Sequence, residues 1–167
     1  MADTYLLVHG AWHTGALMEP TAQHLRKLGC TVHCPTLAGN RPGDDRAAIG
    51  LQDAARSLVE FIESEDLTDI RLVGHSYGGM VISQAAMVLK PRLRRLVYVN
   101  AFVPLNGQCL SYLNFLQDTS MPHSMPWHPR LSERLGLFRL VESFGSHETW
   151  FTNPKLTADK IVEAGRD

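Results

Sequence analysis

Four short, nearly unbroken apolar runs, separated by stretches with helical spacing, organise the first hundred residues of this chain. Thr4 to Val8 (Thr-Tyr-Leu-Leu-Val) reads as a strand buried on both faces. A loop of small residues, His9-Gly10-Ala11-Trp12-His13-Thr14-Gly15, follows it. Leu17 to Leu28 then predicts a helix, with Met18, Ala22, Leu25 and Leu28 on one face and Gly29 as its stop. Thr31 to Cys34 is the second strand. Residues 35–45 hold two prolines and two glycines and predict a loop, at whose end Asp44 and Asp45 favour a helix start. The next helix, over Ile49 to Ser64, buries Leu51, Ala54, Leu58, Phe61 and Ile62. Ile70 to Val73 is the third strand, Gly79 to Leu89 an almost wholly apolar helix, and Leu93 to Asn100 the fourth strand, closed by a turn over 104–107.

Strands alternating with helices at this spacing predict an α/β fold: a doubly wound, mostly parallel sheet with right-handed crossovers. Ligands in such sheets bind beyond the carboxyl ends of the strands, where Gly10 and Ser76 both fall. From Leu110 the alternation stops. Residues 110–153 are rich in Pro, Met, Ser and aromatics, including Phe115, Trp127, Phe138, Phe144 and Trp150, and predict an irregular helical lid. The expected division is therefore a core over residues 1–107 and a lid or cap over 108–167. A last helix, Ala158 to Ala164, has Thr157 as its expected cap.

A length of 167 residues fits one domain, and 44% apolar against 20% charged residues is ordinary for a globular protein. The net charge of −1 argues against nucleic acid or an anionic membrane as partner. No apolar stretch reaches the roughly 18 residues of a membrane span. Met1 to Thr4 lacks the basic start of a signal peptide, so the expected location is cytoplasmic. Cys30, Cys34 and Cys109 form no disulfide framework. Cys30 and Cys34, four apart in a strand, would have α-carbons about 13 Å apart, too far for a bond. His33 between them points to the opposite face from Cys34, which removes a zinc site. No metal or organic cofactor is expected.

The chemistry concentrates at Gly74-His75-Ser76-Tyr77-Gly78. This Gly-x-Ser-x-Gly stands between a strand and a helix, the setting of a nucleophile elbow. The turn is so tight that Gly74 and Gly78 must lack side chains, and Ser76 is presented above the sheet. A serine needs a base and donors for the oxyanion formed on attack. The Tyr77 N–H is the first expected donor and the Ala11 N–H the second, with Gly10 letting the backbone approach the substrate. His9, Gly10, Trp12 and His75 are expected around the pocket and elbow.

Val8-His9-Gly10-Ala11-Trp12-His13, Gly74 to Gly79 and Ala101-Phe102-Val103-Pro104 together resemble the α/β-hydrolase superfamily, in particular the small-esterase branch of methylesterases and hydroxynitrile lyases. The resemblance covers residues 4–107. It implies Ser76 as nucleophile, Ala11 and Tyr77 as oxyanion donors, and a small apolar carboxylic ester as substrate. In that branch the lyases carry threonine where this chain has Gly10, which favours ester hydrolysis over a lyase reaction. The resemblance also implies an acid and then a histidine after later strands, and no such strands follow here. Two more strand–helix units would take at least about 60 residues, at ~30 per unit. The expectation is thus a hydrolase incomplete at its C-terminus, with triad acid and base unassigned, or a catalytically idle binding module. Among the histidines present, His9 and His13 are expected to shape the pocket, His75 to pack against the sheet and His24 to lie on a helix surface. His123, His128 and His147 fall in the lid. The sheet edge left open suggests a homo-oligomer.

Overall fold

The computed structural model describes residues 2–104 and 139–166. Four parallel strands, β1 (Thr4–Val8), β2 (Thr31–His33), β3 (Ile70–His75) and β4 (Leu93–Val99), lie in the order β2-β1-β3-β4. Register pairs Thr4 with both Thr31 and Ile70, so three strands start level and their carboxyl ends share one rim. The helices are α1 (Glu19–Lys27, after a 3-10 turn over Gly15–Met18), α2 (Leu51–Ser64), α3 (Gly78–Leu89), α4 (Thr149–Thr152) and α5 (Pro154–Gly165).

Alternation along β1 divides the core into two layers, because successive strand side chains face opposite sides. Leu6 and Val8, with Ile70 and Leu72, pack under Leu58 and Ile62 of α2 and Ile82 and Ala85 of α3. Tyr5 and Leu7, with Val73 and Val97, pack under Met18, Ala22 and Leu25 on one side and Trp150, Ala158 and Ile161 on the other. The doubly wound parallel sheet is therefore present as expected.

Several boundaries differ. Leu28 is 56% exposed: α1 ends at Lys27, and Gly29 at φ 87° turns the chain away before Leu28 reaches the sheet. Asp44 and Asp45 start no helix. The Asp44 carboxylate instead accepts from the Gly39 and Arg41 N–H groups and closes the loop, and α2 begins six residues beyond Asp45, after Gly50. Thr157 is no cap; it lies inside α5, buried, donating to the Thr149 and Asn153 carbonyls. Trp150 sits fully buried beneath the sheet, and Ala158 and Ile161 join it there. Thr21 donates its hydroxyl to the Trp150 carbonyl at 2.7 Å, which fixes α4 to α1.

Within the otherwise apolar β3, Arg71 is 5% exposed. Its Nε donates to the Gly165 carbonyl at 2.9 Å, and its guanidinium pairs with Asp3. This cation at the C-terminal end of α5 answers the helix's unpaired carbonyls and partial negative charge. Beside it, burial raises the Tyr5 hydroxyl pKa to about 12. Cys30 and Cys34 are free thiols, and burial lifts Cys34 to about 12. Cys109, Phe115, Trp127, Phe138, His123 and His128 lie outside the described residues.

Among the described residues, β4 has no strand on its outer side. A cavity of about 500 Å³ runs there, between Leu96–Asn100, residues 139–145 and α5.

Candidate active site

Ser76 follows the last residue of β3 with φ 54°, in the left-handed region that non-glycine residues avoid. Holding it there costs about 1–2 kcal/mol, which the surrounding contacts must offset. The restraints are visible. The Ser76 carbonyl accepts from the Gly79 and Phe102 N–H groups, both at 3.0 Å, so the turn is tied forward into α3 and sideways to the strap after β4. A Cβ on Gly74 would lie 2.8 Å from the Gly78 backbone, and one on Gly78 would lie 2.5 Å from the Val8 carbonyl oxygen. At Gly79 it would run into the Phe102 carbonyl. These contacts show why the elbow and the Ala101–Pro104 segment occur together: the strap passes where only a glycine leaves room.

The loop after β1 reaches the same point. A Cβ on Gly10 would sit 3.3 Å from Ser76 Cβ, so this backbone runs directly alongside the serine. Two side chains hold the loop. Asn40 donates to the carbonyls of Ala11 (2.7 Å) and His13 (2.8 Å) and so ties down both ends of the turn. His9, buried, accepts from the Leu37 N–H at Nε2 and donates from Nδ1 to the Gly10 carbonyl. Both of its nitrogens are engaged, so it is neutral and serves as a brace.

Burial, before any other influence, lowers the His9 pKa from 6.5, and burial likewise lowers that of His147. In both, the unfolded chain binds the proton more readily. Stability from these groups is therefore present above about pH 6.5 and is lost as pH falls below it. Urea midpoints are expected to fall between pH 7 and pH 5, and His9→Gln should flatten part of that slope. A midpoint unchanged across this window would contradict the assignment.

His75 does not simply pack against the sheet. It is fully buried, its Nε2 donates to the His147 carbonyl at 2.9 Å, and its ring contacts those of His13, His147 and Trp150. Trp12, in contrast, is 86% exposed. Asn40 and Glu148 were not expected here. Glu148 immediately precedes α4, and its Oε2 lies 3.6 Å from His13 Nε2. Donor atoms of His13, His75 and Glu148 lie within 4.8 Å of one another. The His13 and His75 rings are stacked and parallel to within 7°. Their lone pairs lie in the ring planes, so two parallel rings do not aim at one point, as tetrahedral coordination requires.

A strand ending in a strained serine at a helix N-terminus, beside a glycine-containing loop from the neighbouring strand, defines a class of protein. The Alpha/beta hydrolase family description matches residues 5–164, and the chain belongs to that family. Over 111 residues it is 45% identical to the carbendazim hydrolyzing esterase of a Nocardioides species, covering 65% of this chain and 46% of that protein. It is 30% identical over 104 residues to the pyrethroid hydrolase of Sphingobium wenxiniae, covering 61% and 37%. Among solved structures it is similar to an extracellular alpha/beta-hydrolase from a Paenibacillus species, described as sharing structural and functional homology with tobacco salicylic acid binding protein 2. The TM-score there is 0.86 at 28% identity, over 99% of this chain and 100% of that one. The chain spans about half the length, or less, of these curated relatives. No helix among the described residues is long and apolar enough to cross a membrane.

Proposed function

We propose that the protein is a carboxylic ester hydrolase in which Ser76 is the nucleophile and the Ala11 and Tyr77 N–H groups bind the oxyanion. The observation that carries this reading is the left-handed Ser76, φ 54°, tied into the N-terminus of α3 with the Gly10 backbone alongside. Strain of this kind persists only where the surroundings enforce it, and it concentrates at functional sites. Tyr77 is the N-cap of α3, so its N–H stands at the helix end where unpaired donors and partial positive charge favour an anion. Each such donor is worth about 2.7–4 kcal/mol in the transition state.

The proposed substrate is a small, largely apolar ester, and the expected setting is cytoplasmic. Gly10, where the lyases of the branch this chain resembles carry threonine, favours hydrolysis over a lyase reaction. A panel of p-nitrophenyl esters from acetate to decanoate tests the reading. Turnover is expected, with kcat/KM falling for the longest acyl chains. Release of p-nitrophenol no faster than in buffer for every ester would overturn it.

A further inference from the structure

Side chains from other elements take hold of the turn before α4 and of its first residues. The His147 carbonyl accepts the His75 Nε2 proton at 2.9 Å, the Thr149 carbonyl the Thr157 hydroxyl at 3.0 Å and the Trp150 carbonyl the Thr21 hydroxyl at 2.7 Å. Asn100 Nδ2 reaches the Ser146 carbonyl at 3.5 Å. Of these four donors only His75 belongs to the elbow, where it is the residue bonded directly to Ser76. The family's chain order, serine then acid then histidine, puts the base after the serine. Among the described residues, His147 is the one histidine beyond Ser76.

We propose that His75 is a positioning residue: by giving its Nε2 proton to the His147 carbonyl, it locks the turn that carries the His147 imidazole to the strand end that carries Ser76. The inference rests on the reading of Ser76 as nucleophile, with His147, the histidine of the family's order, as its base.

His75 is placed to act through another residue rather than on substrate. Its side chain is fully buried. The ring is held by three neighbours: His13, parallel within 7° at 5.6 Å, Trp150 at 5.5 Å and His147 at 4.7 Å. Its Nδ1 lies toward the loop after β1, 3.5 Å from where a Cβ on Gly10 would stand. Packing on this many sides fixes the rotamer and with it the direction of the Nε2–H bond. The serine next to it is equally fixed, at φ 54° with its carbonyl tied to the Gly79 and Phe102 N–H groups. One imidazole, one hydrogen bond and one peptide unit therefore span the distance from the serine to the backbone of the base. Thr21 and Thr157 grip the chain two and three residues further on, and they bind α4 to α1 and α5, not to the serine.

A buried carbonyl needs a donor whatever the turn does, because losing one is costly. The two roles part in the behaviour of the folded molecules. A structural donor changes how many molecules are folded. A positioning donor changes how fast each folded molecule reacts, since a displacement of about 1 Å at a reacting centre can cost roughly 10²-fold.

The test is the second-order rate at which a fluorophosphonate labels Ser76, located by mass spectrometry, with the folded fraction of each variant measured by circular dichroism. His75→Leu fills the space and offers no proton; per folded molecule it should label about 10²-fold more slowly. On p-nitrophenyl acetate its kcat should fall while KM stays. In His75→Gln the amide nitrogen stands near the place of imidazole Nε2 and can donate to the same carbonyl, so most of the rate should return. His75→Asn falls short of that carbonyl and should stay slow; it replaces the leucine variant if that one does not fold. Thr21→Val removes the donor to the Trp150 carbonyl and leaves the elbow untouched. It should lower the urea midpoint, while its folded molecules label at the parent rate. His75→Leu labelling at the parent rate would overturn the lock and leave Ser76 as nucleophile. A glutamine variant as slow as the leucine variant would also overturn it, since the donated proton would then not matter. So would Thr21→Val labelling as slowly as His75→Leu, since any loosening of α4 would then suffice. A folded parent chain that takes no label would overturn the reading of Ser76 together with the lock.

Discussion

Ser76→Ala is expected to abolish fluorophosphonate labelling and to lower ester turnover toward the roughly 10⁶-fold loss seen when a nucleophile is removed. Stability should hardly change, because alanine suffers the same left-handed penalty as serine at φ 54°. Ser76→Gly makes the complementary case. It too should be inactive, yet it should unfold at higher urea, gaining about 1 kcal/mol as the strain disappears. Together the two variants separate chemistry from conformation: both lose turnover, and only glycine gains stability. Turnover retained by Ser76→Ala, measured on the same ester panel, would remove the serine from the mechanism. A glycine variant no more stable than alanine would mean that the turn at 76 holds no strain to release.

The fold was legible where periodicity carried it. The strands stand out as short runs between turn-forming residues, most plainly in β1, and each ends within two residues of its expected limit. The elbow was legible because its geometry demands particular residue types in fixed order: glycine where backbone meets backbone, serine between. What the local pattern could not carry were contacts made at long range. Asn40 looks like one more polar residue in a loop, but its amide holds the carbonyls of residues 27 and 29 positions earlier. Arg71 interrupts an apolar strand with a charge whose partner is a carbonyl 94 residues on. Trp150 shares its composition with a cap segment, and nothing local reveals that it lies under the sheet.

His13 and Glu148 show the same limit at the site itself. Each has an ordinary reading in sequence, one as a loop histidine and the other as an acid beside a histidine. Only the packing of α4 against α1 brings these two residues, 135 positions apart, to within 3.6 Å of each other. The same packing makes α4 and α5 part of the sheet's cover.

Gly78→Ala is expected to be a strongly damaging single-methyl change. In an open helix the substitution would help, because alanine exceeds glycine in helix propensity by about 1 kcal/mol. Here the added Cβ would lie 2.5 Å from the Val8 carbonyl oxygen and 2.8 Å from that of His9. Neither neighbour is a side chain that could rotate aside. Both are backbone at the end of β1, which is buried and paired on both edges by β2 and β3. Relief requires α3 to slide outward or the His9–Ala11 loop to shift, and either movement opens the elbow. The expected loss is about 3 kcal/mol, at the upper end of overpacking costs. Gly43→Ala is the fitting comparison: its φ is 87° but nothing stands within 4 Å of the new Cβ, so only the left-handed penalty of about 1 kcal/mol applies. Urea unfolding of the two variants should rank Gly78→Ala well below Gly43→Ala. The folded fraction of the former should also label slowly at Ser76, because the shifted loop carries the proposed Ala11 donor. A Gly78→Ala protein as stable as the parent would mean that the approach of α3 to β1 is looser than these distances require, and that the close fit of backbone on backbone does not set the geometry of the serine.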